Sequence, residues 1–145
     1  MVQIRQMQMD DMEAVMEIEN ENFVHPWTET GLFTFLIRED TLFLVAQEEG
    51  EVLGYCGIVT VMDEGDVVKV AVAKKSQNQG IGTMLMDELI RTAADRGVTR
   101  LFLVVRAGNP GAIHLYKKSG FVQTGIRKNY YEELGEDALV MMRES

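Results

Sequence analysis

Val70-Ala71-Val72-Ala73-Lys74-Lys75-Ser76-Gln77-Asn78-Gln79-Gly80-Ile81-Gly82 runs from the end of an apolar strand, through a polar turn, into two glycines that open a helix. In the residues that follow, Ile81, Met84, Leu85, Leu89 and Ala93 recur at helical spacing on one face, with Asp87, Glu88, Arg91 and Asp95 elsewhere. Gly97 ends this helix just after Arg96, a cation suited to the negative helix terminus. The first amides of any helix lack an internal partner and carry partial positive charge, so a helix opened by Gly80 and Gly82 offers a place for a phosphate group. Glycine at both positions lets the backbone approach a ligand with no side chain between. Lys74 and Lys75 stand just before the turn, where an anion would lie.

Two familiar phosphate loops are excluded. Gly82-Thr83-Met84 has no Lys-Ser or Lys-Thr after the second glycine, and Gly80-Ile81-Gly82-Thr83-Met84-Leu85 lacks the third glycine of the dinucleotide fingerprint.

The chain of 145 residues is 46% apolar with the apolar residues evenly spread, which fits one domain (1–145) with a substantial core. No apolar run reaches membrane-spanning length and no signal peptide is read at the start, so a cytoplasmic location and no membrane partner are expected. The single cysteine, Cys56, lies in Gly54-Tyr55-Cys56-Gly57-Ile58-Val59 and reads as a small core residue rather than a nucleophile. A formal charge of −9 argues against nucleic acid and toward basic partners, although acidity also serves solubility alone. Neither His25 nor His114 has a spaced partner for a metal, and no metal site is expected.

The patterns place strands over residues 2–7, 41–47, 52–62, 67–72, 100–105, 121–127 and 138–143. The strand over 100–105 reads as covered on both faces, and residues 63–66 read as a turn. Asp10 with Glu13 resembles a capping box before a helix that turns Met12, Val15, Met16 and Ile18 inward. Thr28 caps a second helix carrying Leu32, Phe33, Leu36 and Ile37. Asn109 and Pro110 start a short helix that stops at Gly120. The order β-α-α-β-β-β-α-β-α-β-β is that of an α/β mixed sheet with helices on its faces, and the ligand crevice falls where the strand over 67–72 feeds the glycine turn.

Gln77-Asn78-Gln79-Gly80-Ile81-Gly82 matches [Arg/Gln]-x-x-Gly-x-[Gly/Ala], the acyl-CoA motif of the GNAT acetyltransferases. With the order of elements and Ala112-Ile113-His114-Leu115-Tyr116-Lys117-Lys118-Ser119-Gly120-Phe121, the chain resembles that family over nearly its whole length. Pro26-Trp27-Thr28-Glu29, Val105-Arg106-Ala107-Gly108-Asn109, Arg127-Lys128-Asn129-Tyr130-Tyr131 and Glu136-Asp137-Ala138 resemble its RimI-type subgroup, which acetylates the N-terminal amine of a ribosomal protein.

The resemblance implies a largely antiparallel sheet and acetyl-CoA as co-substrate. Its pyrophosphate would be cradled by Gln77, Asn78, Gln79, Gly80, Ile81 and Gly82. The pantetheine arm would pair with a splayed strand edge at Val70 and Val72, and Asn109 would bond that arm as well as cap its helix. Tyr116 would protonate the leaving thiolate, although on helical spacing alone it reads as core. Trp27, Tyr130 and Tyr131 would flank the basic N-terminal tail of the acceptor, although Trp27 also fits a core anchor. In this subgroup a glutamate serves as general base where this chain has Val104. Lys69 and Ser76 likewise replace an asparagine and an aromatic.

A missing base penalises an α-amine least. Its reference pKa near ~7.8 leaves roughly a tenth neutral at pH 7, whereas a lysine near ~10.4 is neutral about once in several thousand, a difference of roughly 3.5 kcal/mol. N-terminal acetylation by direct attack is therefore the expected activity, with a water relay to Glu64, Asp66, Tyr130 or Tyr131 open as the proton route. A module that binds acyl-CoA without chemistry, and an acetyltransferase for lysine or a small amine, are the alternatives.

Overall fold

The computed structural model describes residues 1–145. Its strands are β1 (Gln3–Gln6), β2 (Thr41–Glu48), β3 (Glu51–Val61), β4 (Glu64–Val72), β5 (Arg100–Arg106), β6 (Val122–Tyr131) and β7 (Glu136–Glu144). Its helices are α1 (Met12–Asn22), α2 (Glu29–Leu36), α3 (Ile81–Asp95) and α4 (Pro110–Lys118). Element order is as expected. The strands form one seven-stranded sheet, β1-β2-β3-β4-β5-β7-β6, in which only β4 and β5 run parallel. Parallel neighbours need a crossover, and α3 supplies it.

Apolar side chains leave the sheet on both faces. Leu42, Leu44, Cys56, Ile58, Leu101 and Leu103 meet Ile81, Leu85, Met86, Leu89 and Ala93 of α3. On the other face Phe43, Val45, Tyr55 and Ala71 meet Val15 and Ile18 of α1 and Leu32 of α2. Alternation along β2 explains the division, because successive side chains point to opposite faces. Gly57 on β3 has no room for a Cβ, since the Phe43 ring of β2 fills that space.

Several local expectations change. Asp11, not Asp10, accepts the Gln8 N–H (2.8 Å), and Asp10 is exposed. A short 3-10 turn at Met9–Asp11 precedes α1; the capping box is Gln8 with Asp11 at the start of that turn, and Asp11 at the N-cap of α1 makes no side-chain cap bond. Met84 of α3 is exposed and Met86 is buried; Phe33 and Ile37 at α2 are exposed, while Phe35 and Leu36 pack inward. Residues 64–66 are not turn but the start of β4, where pairing with β5 holds them in extended form. β5 is not covered on both faces: Leu101, Leu103 and Val105 are buried but Val104 is 38% exposed. The closing strands are longer than expected, and Asn129, Tyr130 and Tyr131 belong to β6 itself.

Candidate active site

β4 and β5 share three parallel pairs: Glu64 with Arg100, Gly65 with Leu101 and Asp66 with Phe102. Beyond them the strands part. β4 stays tied to β3, where Ala73 N–H donates to Leu53 O (2.8 Å), while β5 stays tied to β7. Alternation in an antiparallel ladder then turns the main-chain groups of Val70 and Val72 away from β3, toward the gap. Val72 O is held there by Asn22 Nδ2 and Gln77 Nε2, each at 3.1 Å. The Val70 and Val72 amides therefore face the opening with no partner strand.

The gap widens into a cleft of about 530 Å³ that brings Val70, Val72, Gln77, Asn78, Gly80, Ile81, Gly82, Asn109 and Tyr116 together. Gln79 is exposed in the same turn but does not line it. Gln77 anchors the turn, since its side chain donates to Asn22 Oδ1 (3.1 Å) as well as to Val72 O. Thr28 and Asn109 cap α2 and α4 with their side chains, accepting from Gly31 N–H and Ala112 N–H. α3 has no such cap: Gly80 precedes it at φ 82°, and the first helical bond is Met84 N–H to Gly80 O. The amides of Ile81, Gly82 and Thr83 have no acceptor within the helix.

The two glycines do different work. Gly80 supplies a left-handed backbone, which costs other residues roughly 1–2 kcal/mol. Gly82 lets α3 approach α4, because a Cβ there would meet Leu115 at 3.2 Å.

Lys74 and Lys75 do not serve the cleft. Both line a larger hollow of about 800 Å³ beside α1, among Asp10, Asp11, Glu17, Glu21 and Glu51, and Lys75 pairs with Glu51 at 2.5 Å. Five carboxylates there repel an anion. The cation at the cleft is Lys118, whose helix α4 forms its far wall with exposed His114.

Tyr116 packs edge-on against Phe121 at 6.0 Å. Burial pushes its phenol up to about 12, so it keeps its proton at neutral pH and can donate it. Cys56 is fully buried and its thiol is pushed up by burial, which leaves no thiolate for a covalent route.

Trp27, Tyr130 and Tyr131 do not line the cleft. Trp27 is half-buried between Phe35 (4.9 Å) and Phe43 (6.3 Å), so core anchoring is its observed contact. Tyr130 is exposed and stands edge-on to Tyr131 at 5.1 Å. His25 Nε2 lies 2.9 Å from Glu133 Oε2, so the segment before α2 and the β6–β7 connection meet at the surface.

Sequence reasoning missed Glu19. It is 1% exposed and receives three donors: Tyr55 Oη, Trp27 N–H (2.8 Å) and Lys69 Nζ (2.9 Å). On α1 it reads as one more carboxylate of an acidic chain, and only the meeting of three distant segments distinguishes it.

The acetyltransferase (GNAT) family model matches residues 12–121. The [ribosomal protein bS18]-alanine N-acetyltransferase of Escherichia coli (strain K12) is 34% identical over 142 residues, covering 95% of this chain and 94% of that protein. The crystal structure of the E. coli ribosomal-protein-S18-alanine N-acetyltransferase superposes with a TM-score of 0.91, covering 99% of this chain and 94% of that one. The PaiA N-acetyltransferase from Thermoplasma acidophilum in complex with coenzyme A, 18% identical with a TM-score of 0.84, shares the fold over 100% and 99% of the two chains.

Proposed function

The chain belongs to the GNAT acetyltransferase family, and from that premise we propose that it transfers acetyl from acetyl-CoA to the α-amine of a protein N-terminus. The acceptor in this reading is the basic, alanine-starting tail of a bS18-type ribosomal protein. One observation carries it: the parted β4–β5 edge, the uncapped end of α3 and protonated Tyr116 border a single cleft.

The residues fit the co-substrate. Free amides at Ile81, Gly82 and Thr83, with Lys118 nearby, suit a diphosphate, and the unpaired edge at Val70 and Val72 suits an amide-bearing arm. Acetyl-CoA supplies the activated thioester. A Val70 or Val72 amide polarises its carbonyl, which is worth about 2.7–4 kcal/mol for a well-placed donor. Tyr116 delivers a proton to the departing sulfur. Val104 cannot accept one, so the attacking amine loses its proton to water. An α-amine tolerates this because roughly a tenth is already neutral at pH 7. The formal charge of −9 draws a basic tail toward the protein.

The test compares two basic peptides that begin with alanine, one with a free and one with a blocked N-terminus, each carrying an internal lysine. Thiol release with the free peptide alone is expected. Equal release with the blocked peptide moves the acceptor to lysine and overturns the proposal.

A further inference from the structure

Lys69 reaches from β4 into a nest made by two other segments. Its Nζ donates to Glu19 Oε2 at 2.9 Å and sits 3.7 Å from the Phe23 ring centroid and 4.2 Å from that of Trp27. One carboxylate with two aromatic faces is the chemistry that recognises an ammonium group. Glu19 is fixed in its orientation by the Tyr55 hydroxyl and the Trp27 amide, so the carboxylate does not depend on Lys69 alone for position. Phe23 also lines the cleft, and the Lys69 side chain keeps 11% of its surface exposed, so the nest borders the cleft.

We propose that Glu19, Phe23 and Trp27 form a binding cage for a primary ammonium group, and that Lys69 fills it from within the chain and so closes it to amine ligands. The cage is complete without its occupant. A buried ion pair costs more desolvation than an apolar pair of the same shape, so stability alone gives little reason to place a lysine here. With Lys69 in place, an incoming amine finds a single position, at the β4 edge beside Val70. That consequence rests on the acceptor reading given above; the cage does not.

Trp27 is the only tryptophan, so its emission reports the cage directly and needs no acetyl transfer. Lys69→Ala leaves a void shaped for propylammonium. Propylammonium chloride should shift the emission of Lys69→Ala saturably, leave wild type unchanged, and fail in Glu19→Gln/Lys69→Ala; uncharged 1-propanol should do nothing. A folded Lys69→Ala with no saturable response, or wild type responding equally, overturns the cage. If Lys69→Ala does not fold alone, it is refolded with propylammonium or 1-propanol. Recovery with the ammonium only supports the cage, and equal recovery or none overturns it. For the gate, an alanine-starting peptide should turn over several-fold more slowly in Lys69→Ala, because its amine can lodge in the opened cage, and propylammonium chloride should restore the rate. No loss, or a loss without rescue, overturns the gate while leaving the acetyltransferase reading intact.

Discussion

Asp66 of β4 lies opposite Phe102 of β5, and no pair of the parallel ladder follows them. The sheet is thus two sheets joined at one end, β1 to β4 and β5 to β7. Each half keeps its own antiparallel bonds, so the opening costs little local order. It does leave the amides of Val70 and Val72 without strand partners, in a protein whose other inner edges are paired.

Amide exchange reads this directly. Val70 and Val72 should exchange fast in the free protein and slow at least tenfold when coenzyme A is added. Ala71 and Ala73, on the β3 side, should be protected throughout. Equal protection of all four without ligand would mean that the edge is already closed.

Tyr116→Phe keeps the edge-on contact with Phe121 and removes only the hydroxyl. Turnover should fall by about 10²–10⁴-fold, the usual range for general acid catalysis, with coenzyme A affinity unchanged. The phenol stands near 12 against 10.0 for a free tyrosine, so the acid is present at every pH below 10. Sign and window follow for stability. The folded state holds this proton more tightly, so the contribution is complete below pH 10 and is lost as pH rises toward 12. Tyr55 and Tyr131 are raised as well, in the same direction. Thermal melts should therefore be flat in this respect below pH 10 and fall above it, more gently in Tyr116→Phe.

Val104→Glu places a carboxylate on the open side of β5, where the valine is 38% exposed and faces no packed helix of its own. An added base helps most where the amine is protonated. The kcat/KM for an alanine-starting peptide should rise by about tenfold or more at pH 6.5 and by less at pH 8.5. No change at either pH would place deprotonation outside the slow step.

Much of this was legible in the chain. Element order, the Asn109 and Thr28 caps and the glycine-opened α3 all follow from local chemistry, because helix ends and turns are decided by residues a few positions apart. What escaped is long-range. Lys74 and Lys75 stand beside the glycine turn in sequence, yet they line the hollow beside α1 with five carboxylates, while Lys118, nearly forty residues on, lines the cleft because α4 packs against α3. The apolar run of β5 predicts cover on both faces, because nothing within it marks that the cluster on the Val104 face takes no residue from this strand. Trp27 fits either an acceptor wall or a core anchor on sequence, and its contacts with Phe35 and Phe43 are those of an anchor.

Glu19 makes the strongest claim on stability. Glu19→Ala strands Tyr55 Oη, Trp27 N–H and Lys69 Nζ in a site with almost no water, and should cost about 3–5 kcal/mol in urea unfolding. Glu19→Gln/Lys69→Met removes both charges and should cost less than the single change. The reverse order would mean that Lys69 is held by something other than Glu19.

Calorimetric titration of the wild-type protein with coenzyme A is the most direct test of the central claim, that the uncapped end of α3 and the parted β4–β5 edge together hold the thioester co-substrate. One molecule should bind per chain, and Gly82→Val, which drives α4 from α3 through Leu115, should weaken binding at least tenfold. No measurable heat with folded wild-type protein, or equal affinity in the variant, would contradict it.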